Sequence, residues 1–232
     1  MNTKSITTID KINTNSTTSD LFVHIFQNSE ILDKILEIIL LDLAPISPSS
    51  MWTLIYRASR DGFKADDFHL KCDESEKTIT FIKTNELYVF GGYTNAKWNS
   101  IEEGKTDPDA YLVSIVNEEN NPILIKIKSN DSLAIQTGPD IGPSFGLTDF
   151  QISSDSNLNK NSFSNLGDSY DFQLYSFESD KARKFLAGSY NFIVSEIEMY
   201  QLISPKTTKS SELIVQYCDR ILRKQFVTIS IE

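Results

Sequence analysis

TITFIKTNELYVFGG, residues 78–92, holds two short runs rich in β-branched and aromatic residues, Thr78–Lys83 and Leu87–Phe90, followed by the turn formers Gly91-Gly92. Runs this short, dense in Thr, Ile, Val, Tyr and Phe, read as strands rather than helices. The same texture recurs at Trp52–Tyr56, Tyr111–Val116, Ile123–Ile127, Phe150–Ile152 and Asn191–Leu202. Between the runs lie Asp61-Gly62, Asn120-Asn121-Pro122 and the stretch from Gly138 to Gly146, all turn chemistry. Many short strands at this spacing predict a mainly β (α+β) protein, an antiparallel two-sheet β-sandwich with a few short helices.

Three stretches depart from the strand pattern. From Leu21 to Leu43, Ile31, Leu32, Ile35, Leu36, Ile39, Leu40 and Leu43 follow helical spacing, with Ser29 as N-cap and Pro45 as stop. Glu30 to Leu32 fit an extended start equally well. Between Lys64 and Asp73, Ala65, Phe68, His69 and Cys72 share one helical face. After a linker at Pro205 to Lys209, Leu213, Ile214, Tyr217, Cys218, Ile221 and Leu222 form an amphipathic helix. Domain boundaries follow: a disordered Asn/Ser/Thr-rich tail over 1–20, a domain over 21–203, and a linker with a C-terminal helix over 204–232.

Composition narrows the function classes. The chain has 232 residues, 40% hydrophobic, with 14 Phe and 9 Tyr. That supplies a core without metal or disulfide staples. The net charge of −10 repels a phosphate backbone, so nucleic acid and anionic membrane are unexpected partners. No apolar run is long enough to span a bilayer, and the N-terminus lacks the apolar core of a signal peptide. Two cysteines suit a reducing, cytoplasmic location.

Each motif with a catalytic look has a plainer reading. Gly142-Pro-Ser144-Phe-Gly146 matches a nucleophile elbow by letter, but both histidines, His24 and His69, precede Ser144, and Pro143 argues for an irregular loop. Asp155, Asn157, Asn159 and Asn161 alternate like half a calcium loop. Lys160 then stands where glycine is needed and Leu166 where glutamate is needed. His69 and Cys72 have metal-ligand spacing but no local second pair. Glu196 and Glu198 fall on one strand face with Val194 and Tyr200. Carboxylates there are expected on an exposed face, suited to binding rather than acid–base chemistry. No catalytic residue, metal or cofactor is expected.

Trp52 through Phe63 (WTLIYRASRDGF), followed by Asp67-Phe68-His69 and Lys71-Cys72-Asp73, resembles the opening of the TLDc domain. Tyr88-Val-Phe-Gly-Gly-Tyr93 ahead of Trp98, Asp109-Ala-Tyr-Leu112, Gly142 to Gly146, Ser164-Asn-Leu-Gly167, Phe185-Leu-Ala-Gly188 and Val194-Ser-Glu-Ile-Glu-Met-Tyr200 continue the likeness in order. The resemblance implies a two-sheet fold without catalytic activity. It also implies a role in oxidative-stress resistance and binding to protein partners, vacuolar-type ATPase subunits among them. An adaptor with an unrelated partner is the alternative. Arg57, Arg60 and Asp61 form a strand-end turn that a buried or half-buried ion pair would lock. The candidate interaction surface comprises Arg60, Asp61, Gly92, Glu196 and Glu198, although turn chemistry alone explains Asp61 and the glycine. The C-terminal helix is expected to dock on its own domain, because an exposed apolar stripe invites aggregation.

Overall fold

A computed structural model describes residues 25–203, apart from residues 48 and 131. In chain order the elements are α1 (Lys34–Leu43), β1 (Met51–Arg57), α2 (Ala58–Asp61), α3 (Ala65–Cys72), β2 (Thr78–Thr84), β3 (Val89–Thr94), β4 (Glu103–Thr106) and β5 (Tyr111–Val116). There follow β6 (Ile123–Lys126), β7 (Leu133–Thr137), β8 (Ile141–Phe145), β9 (Phe150–Ser153), β10 (Ser162–Ser164), α4 (Asp180–Lys184), β11 (Asn191–Phe192) and β12 (Val194–Ile203). They build two six-stranded antiparallel sheets, ordered β1-β12-β2-β3-β5-β6 and β11-β10-β9-β8-β7-β4. The expected mainly β architecture is therefore what the chain adopts. The tail over 1–20 and the C-terminal helix lie outside the described residues.

The sheets face each other across a core of aromatic and branched side chains, including Phe90, Trp98, Phe145, Phe150 and Phe192. Their rings meet edge-on or stacked, as for Phe90 and Phe192 at 5.7 Å and Phe145 and Phe150 at 5.1 Å. Trp98 has no solvent access, and its indole N–H donates to Thr78 Oγ1 at 2.8 Å. A second apolar layer covers the outer face of the first sheet. There Phe26, Leu32 and Leu40 pack with Ile79, Phe81, Val113 and Tyr200. Helix α1 supplies much of that layer and packs on β5.

The local chemistry explains several boundaries. Helix α1 starts at Lys34 because Asp33 Oδ1 accepts the Leu36 N–H at 2.9 Å, an N-cap bond. Ser29 caps a separate turn instead, accepting from Leu32 N at 2.8 Å, so the expected helical start there is corrected and Glu30 to Leu32 are non-helical. Helix α3 carries the predicted face: Ala65, Phe68, His69 and Cys72 are all buried. His69 Nε2 lies 2.8 Å from the Gly138 carbonyl and Nδ1 lies 2.7 Å from Asp73 Oδ1, tying α3 to the turn before β8.

Two expectations change. The Gly138–Gly146 stretch contains strand β8, with Pro143 inside the register shift between Ile141 and Ser144, where a missing N–H does no harm. The chain reverses between β2 and β3 at residues 85–88, so Gly91 and Gly92 are interior residues of β3 rather than turn residues. Gly92 is there for space. A Cβ on it would stand 2.5 Å from Phe145 Cε1, in the packed zone between the sheets. Gly92→Val is therefore expected to cost about 1–3 kcal/mol through overpacking, read as a lower urea midpoint with an unchanged m-value.

Candidate functional site

Strand β1 ends at Arg57, opposite Glu198 of β12 in the register. The chain then turns into α2, with Arg57 as its N-cap residue. A bulge between Val194 and Glu196 re-phases β12. Val194, Ile197 and Met199 consequently face the inter-sheet core, while Glu198 bonds with the N-terminal segment on the outer face. Val194 does not share a face with Glu198 as expected. Bulges redirect side chains in this way.

Glu198 is completely buried. Its Oε1 accepts from Arg57 Nε at 3.0 Å, Arg57 Nη2 at 2.8 Å and the Glu30 main-chain N–H at 2.7 Å. Its Oε2 accepts from Ser29 Oγ at 2.5 Å and Tyr200 Oη at 3.4 Å. Burial, with Glu198 beside it, raises the Tyr200 phenol above its ordinary value. Arg57 donates further to the Asn28 carbonyl and lies 3.7 Å from the Glu30 carboxylate. The buried charge is thus matched on every side, as a desolvated carboxylate requires.

Glu196, 7% exposed, turns its Oε1 to the Ser59 N–H at 3.0 Å and so caps α2 from a different strand. Asp61 Oδ2 accepts the Arg57 N–H at 3.0 Å, closing the same turn from the other end. Arg60 grips Asp61 through Nε at 3.0 Å and Nη2 at 2.6 Å, and Lys71 stands 3.7 Å away. The Arg60 hydrogen bonds hold the Asp61 carboxyl below its ordinary value, against partial burial. Arg60 itself stays half exposed, at 48% of its side chain.

Four of the five predicted residues, Arg60, Asp61, Glu196 and Glu198, therefore meet at the β1–α2 corner. Only Arg60 lies at the surface. Glu196 and Glu198 form no exposed acidic face, because Arg57 and main-chain N–H groups are close enough to satisfy them internally. Gly92 does not join the corner; it is buried against Phe145. The parts that sequence reasoning missed are Ser29 and Glu30, whose polar contacts reach 169 and 168 residues along the chain. A hint lay in two glutamates embedded in an apolar strand.

The other candidates have structural roles. Ser144 is buried on β8, and its Oγ donates to the Phe150 carbonyl at 3.4 Å. Asn159 braces its own loop, donating to the carbonyls of Ser154 and Asp155. Among the described residues, no group of three or more His, Cys, Asp or Glu could hold a metal ion. Cys72 is buried and free, and burial pushes its thiol well above the ordinary range.

A model of the TLDc domain family matches residues 25–203. The chain belongs to the TLDc family. A search of curated proteins returns no match to it. In this TLDc domain the letters that resembled a nucleophile elbow build a core strand, and a buried carboxylate next to it pins a loop. Asp149 accepts from Gly167 N and Ser169 N, both at 2.9 Å, and from Tyr170 N at 3.4 Å. Gly146 curls over it at φ 69°, where a Cβ would strike Asp149 Oδ2.

Two predictions follow from these buried acids. Glu198→Ala leaves Arg57 without its buried partner and is expected to cost about 3–5 kcal/mol, measured by urea denaturation. For Asp149, burial outweighs the three N–H donors and pushes its carboxyl from 3.8 up to about 6. A folded-state value above the unfolded one means stability present at low pH is lost as pH rises through that interval. The stability advantage of wild type over Asp149→Asn should shrink between about pH 4 and pH 6, by on the order of 3 kcal/mol. A flat or widening gap over that range contradicts the assignment.

Proposed function

We propose that this TLDc domain is a non-catalytic protein-binding module of the cytoplasm that acts on a vacuolar-type ATPase and contributes to oxidative-stress resistance through that partner. The observation that carries the reading is the family match over 25–203, joined to a corner whose buried acids all serve to hold the chain in place. A general acid or base needs a group free to exchange its proton with substrate. Glu198 instead receives donors on both oxygens.

The surface of the corner suits recognition. Arg60 on α2 and Lys71 on α3, side chains 48% and 44% exposed, flank Asp61, and Leu70, the chain neighbour of Lys71 on α3, is 82% exposed. An arginine on a fixed backbone and a large exposed apolar side chain on the helix that follows suit an acidic, partly apolar partner surface. The buried Cys72 thiol favours an indirect role in oxidative stress, since peroxide chemistry runs through an accessible thiolate.

The test is co-sedimentation of the full chain with vacuolar membranes that carry the vacuolar-type ATPase and with membranes stripped of it. Wild type should sediment only with the former, and Arg60→Glu should weaken that binding by about tenfold. Equal sedimentation on both membranes rules out the ATPase as partner, and an unaltered Arg60→Glu rules out the corner.

A further inference from the structure

At one end of the first sheet's outer face, beyond the cover of α1, lies a cleft of about 490 Å³. Its wall is mixed: Ile46, Trp52, Tyr93, Tyr111, Leu124 and Leu202 form the apolar and aromatic part, and Ser50, Asn95, Asp109 and Lys126 the polar part. Tyr93 and Tyr111 stack at 5.1 Å, and Trp52 meets Tyr93 edge-on at 6.3 Å. Trp52 is only 9% exposed, and its buried indole N–H has no acceptor among the described residues. A buried donor without a partner is costly, which marks this end of the sheet as incompletely satisfied.

The chain itself leads to this cleft. The described part of β12 ends at Ile203, one residue beyond Leu202 in the cleft wall. Residues 204–212 then precede the apolar series Leu213, Ile214, Tyr217, Cys218, Ile221 and Leu222. Nine residues reach up to about 30 Å. The five neighbouring strands from β12 to β6 span roughly 19 Å, at about 4.8 Å each. A helix of ten residues measures about 15 Å, which fits within that width.

We infer that residues 213–222 of this same chain dock, by their apolar stripe, into the cleft between Trp52, Tyr111 and Leu202. Docking removes both apolar surfaces from water and stands independently of the proposed ATPase partner.

The native Cys218 provides the test, because Cys72 is buried and cannot compete. In the full chain, Ser50→Cys and Lys126→Cys place a thiol in the cleft lining, and Glu86→Cys places one in the turn at the opposite end of β2 and β3. Under mild oxidation at low protein concentration, non-reducing peptide mapping should find an intramolecular disulfide to Cys218 in at least one cleft variant and none in Glu86→Cys. A parallel readout is acrylamide quenching of Trp52, which Leu213→Asp/Tyr217→Asp should raise several-fold, while the fully buried Trp98 stays silent. Absence of a crosslink in both cleft variants, equal crosslinking in Glu86→Cys, or unchanged quenching overturns the inference. A disulfide between two chains would assign the cleft to a second copy and overturns it as well.

Discussion

Glu198 is a carboxylate with no access to water, placed in the middle of a sheet, and its solvation is rebuilt from protein groups contributed by distant segments. Arg57 comes from the neighbouring strand, the Glu30 N–H and Ser29 hydroxyl from the segment before α1, and Tyr200 from its own strand. Desolvating an ion of this kind is favourable only when every partner is present together. The N-terminal segment is therefore fixed to β12 by a requirement stronger than apolar contact alone. Glu37 repeats the device from α1, accepting the Ile25 N–H at 2.6 Å. Between these two acids Phe26 lies over the sheet, its ring 5.5 Å from Trp52, 5.2 Å from Phe81 and 5.1 Å from Tyr200.

That anchoring changes what the first sheet has to be. Covered on both faces, β2 and β5 are buried almost throughout, with their buried polar positions filled by Thr and Ser. Such strands show continuous apolar texture in place of alternation. The inward polar groups are satisfied locally where they can be: Thr78 accepts from Trp98, and Thr94 donates to Asp107 at 2.9 Å. Asp107 also accepts from Asn95 N, so one buried acid organises the turn after β3. The pattern at Glu198 is thus the strongest instance of a general rule in this domain. Its buried acids are structural nodes that tie loops and segments to strands.

Strand texture and the α3 face could be read from residue order because they depend on neighbours a few positions apart. The buried face of Ala65, Phe68, His69 and Cys72 is a local periodicity, and it survives folding unchanged. Features set by remote partners were hidden. Nothing near Glu198 in the chain announces Ser29 or Glu30. Without those partners, two strand glutamates are expected to face water. Gly92 looked like a turn because its reason, the Phe145 ring from the other sheet, lies 53 residues away. At the corner, the Arg57–Asp61 turn was readable because its bonds span four residues, whereas the Arg57–Glu198 pair spans 141.

The same strand connects the two surfaces to which function is assigned. Along β12, Glu196 and Glu198 sit at the corner, Tyr200 packs under Phe26, and Leu202 lines the cleft. The distance from Glu196 to Leu202 is roughly 20 Å at about 3.3 Å per residue. β12 is paired on both sides, with β1 and β2, so it cannot shift without breaking two ladders. The corner and the cleft wall therefore rest on one rigid element, and anything bound at either would bear on it. The N-terminal segment lies between them, held by the acid at one end and the aromatic cluster at the other. Among the described residues, that segment touches the corner through Ser29 and Glu30 and the cleft wall through Phe26 on Trp52, so it is a contiguous physical link between the two surfaces that belongs to neither sheet.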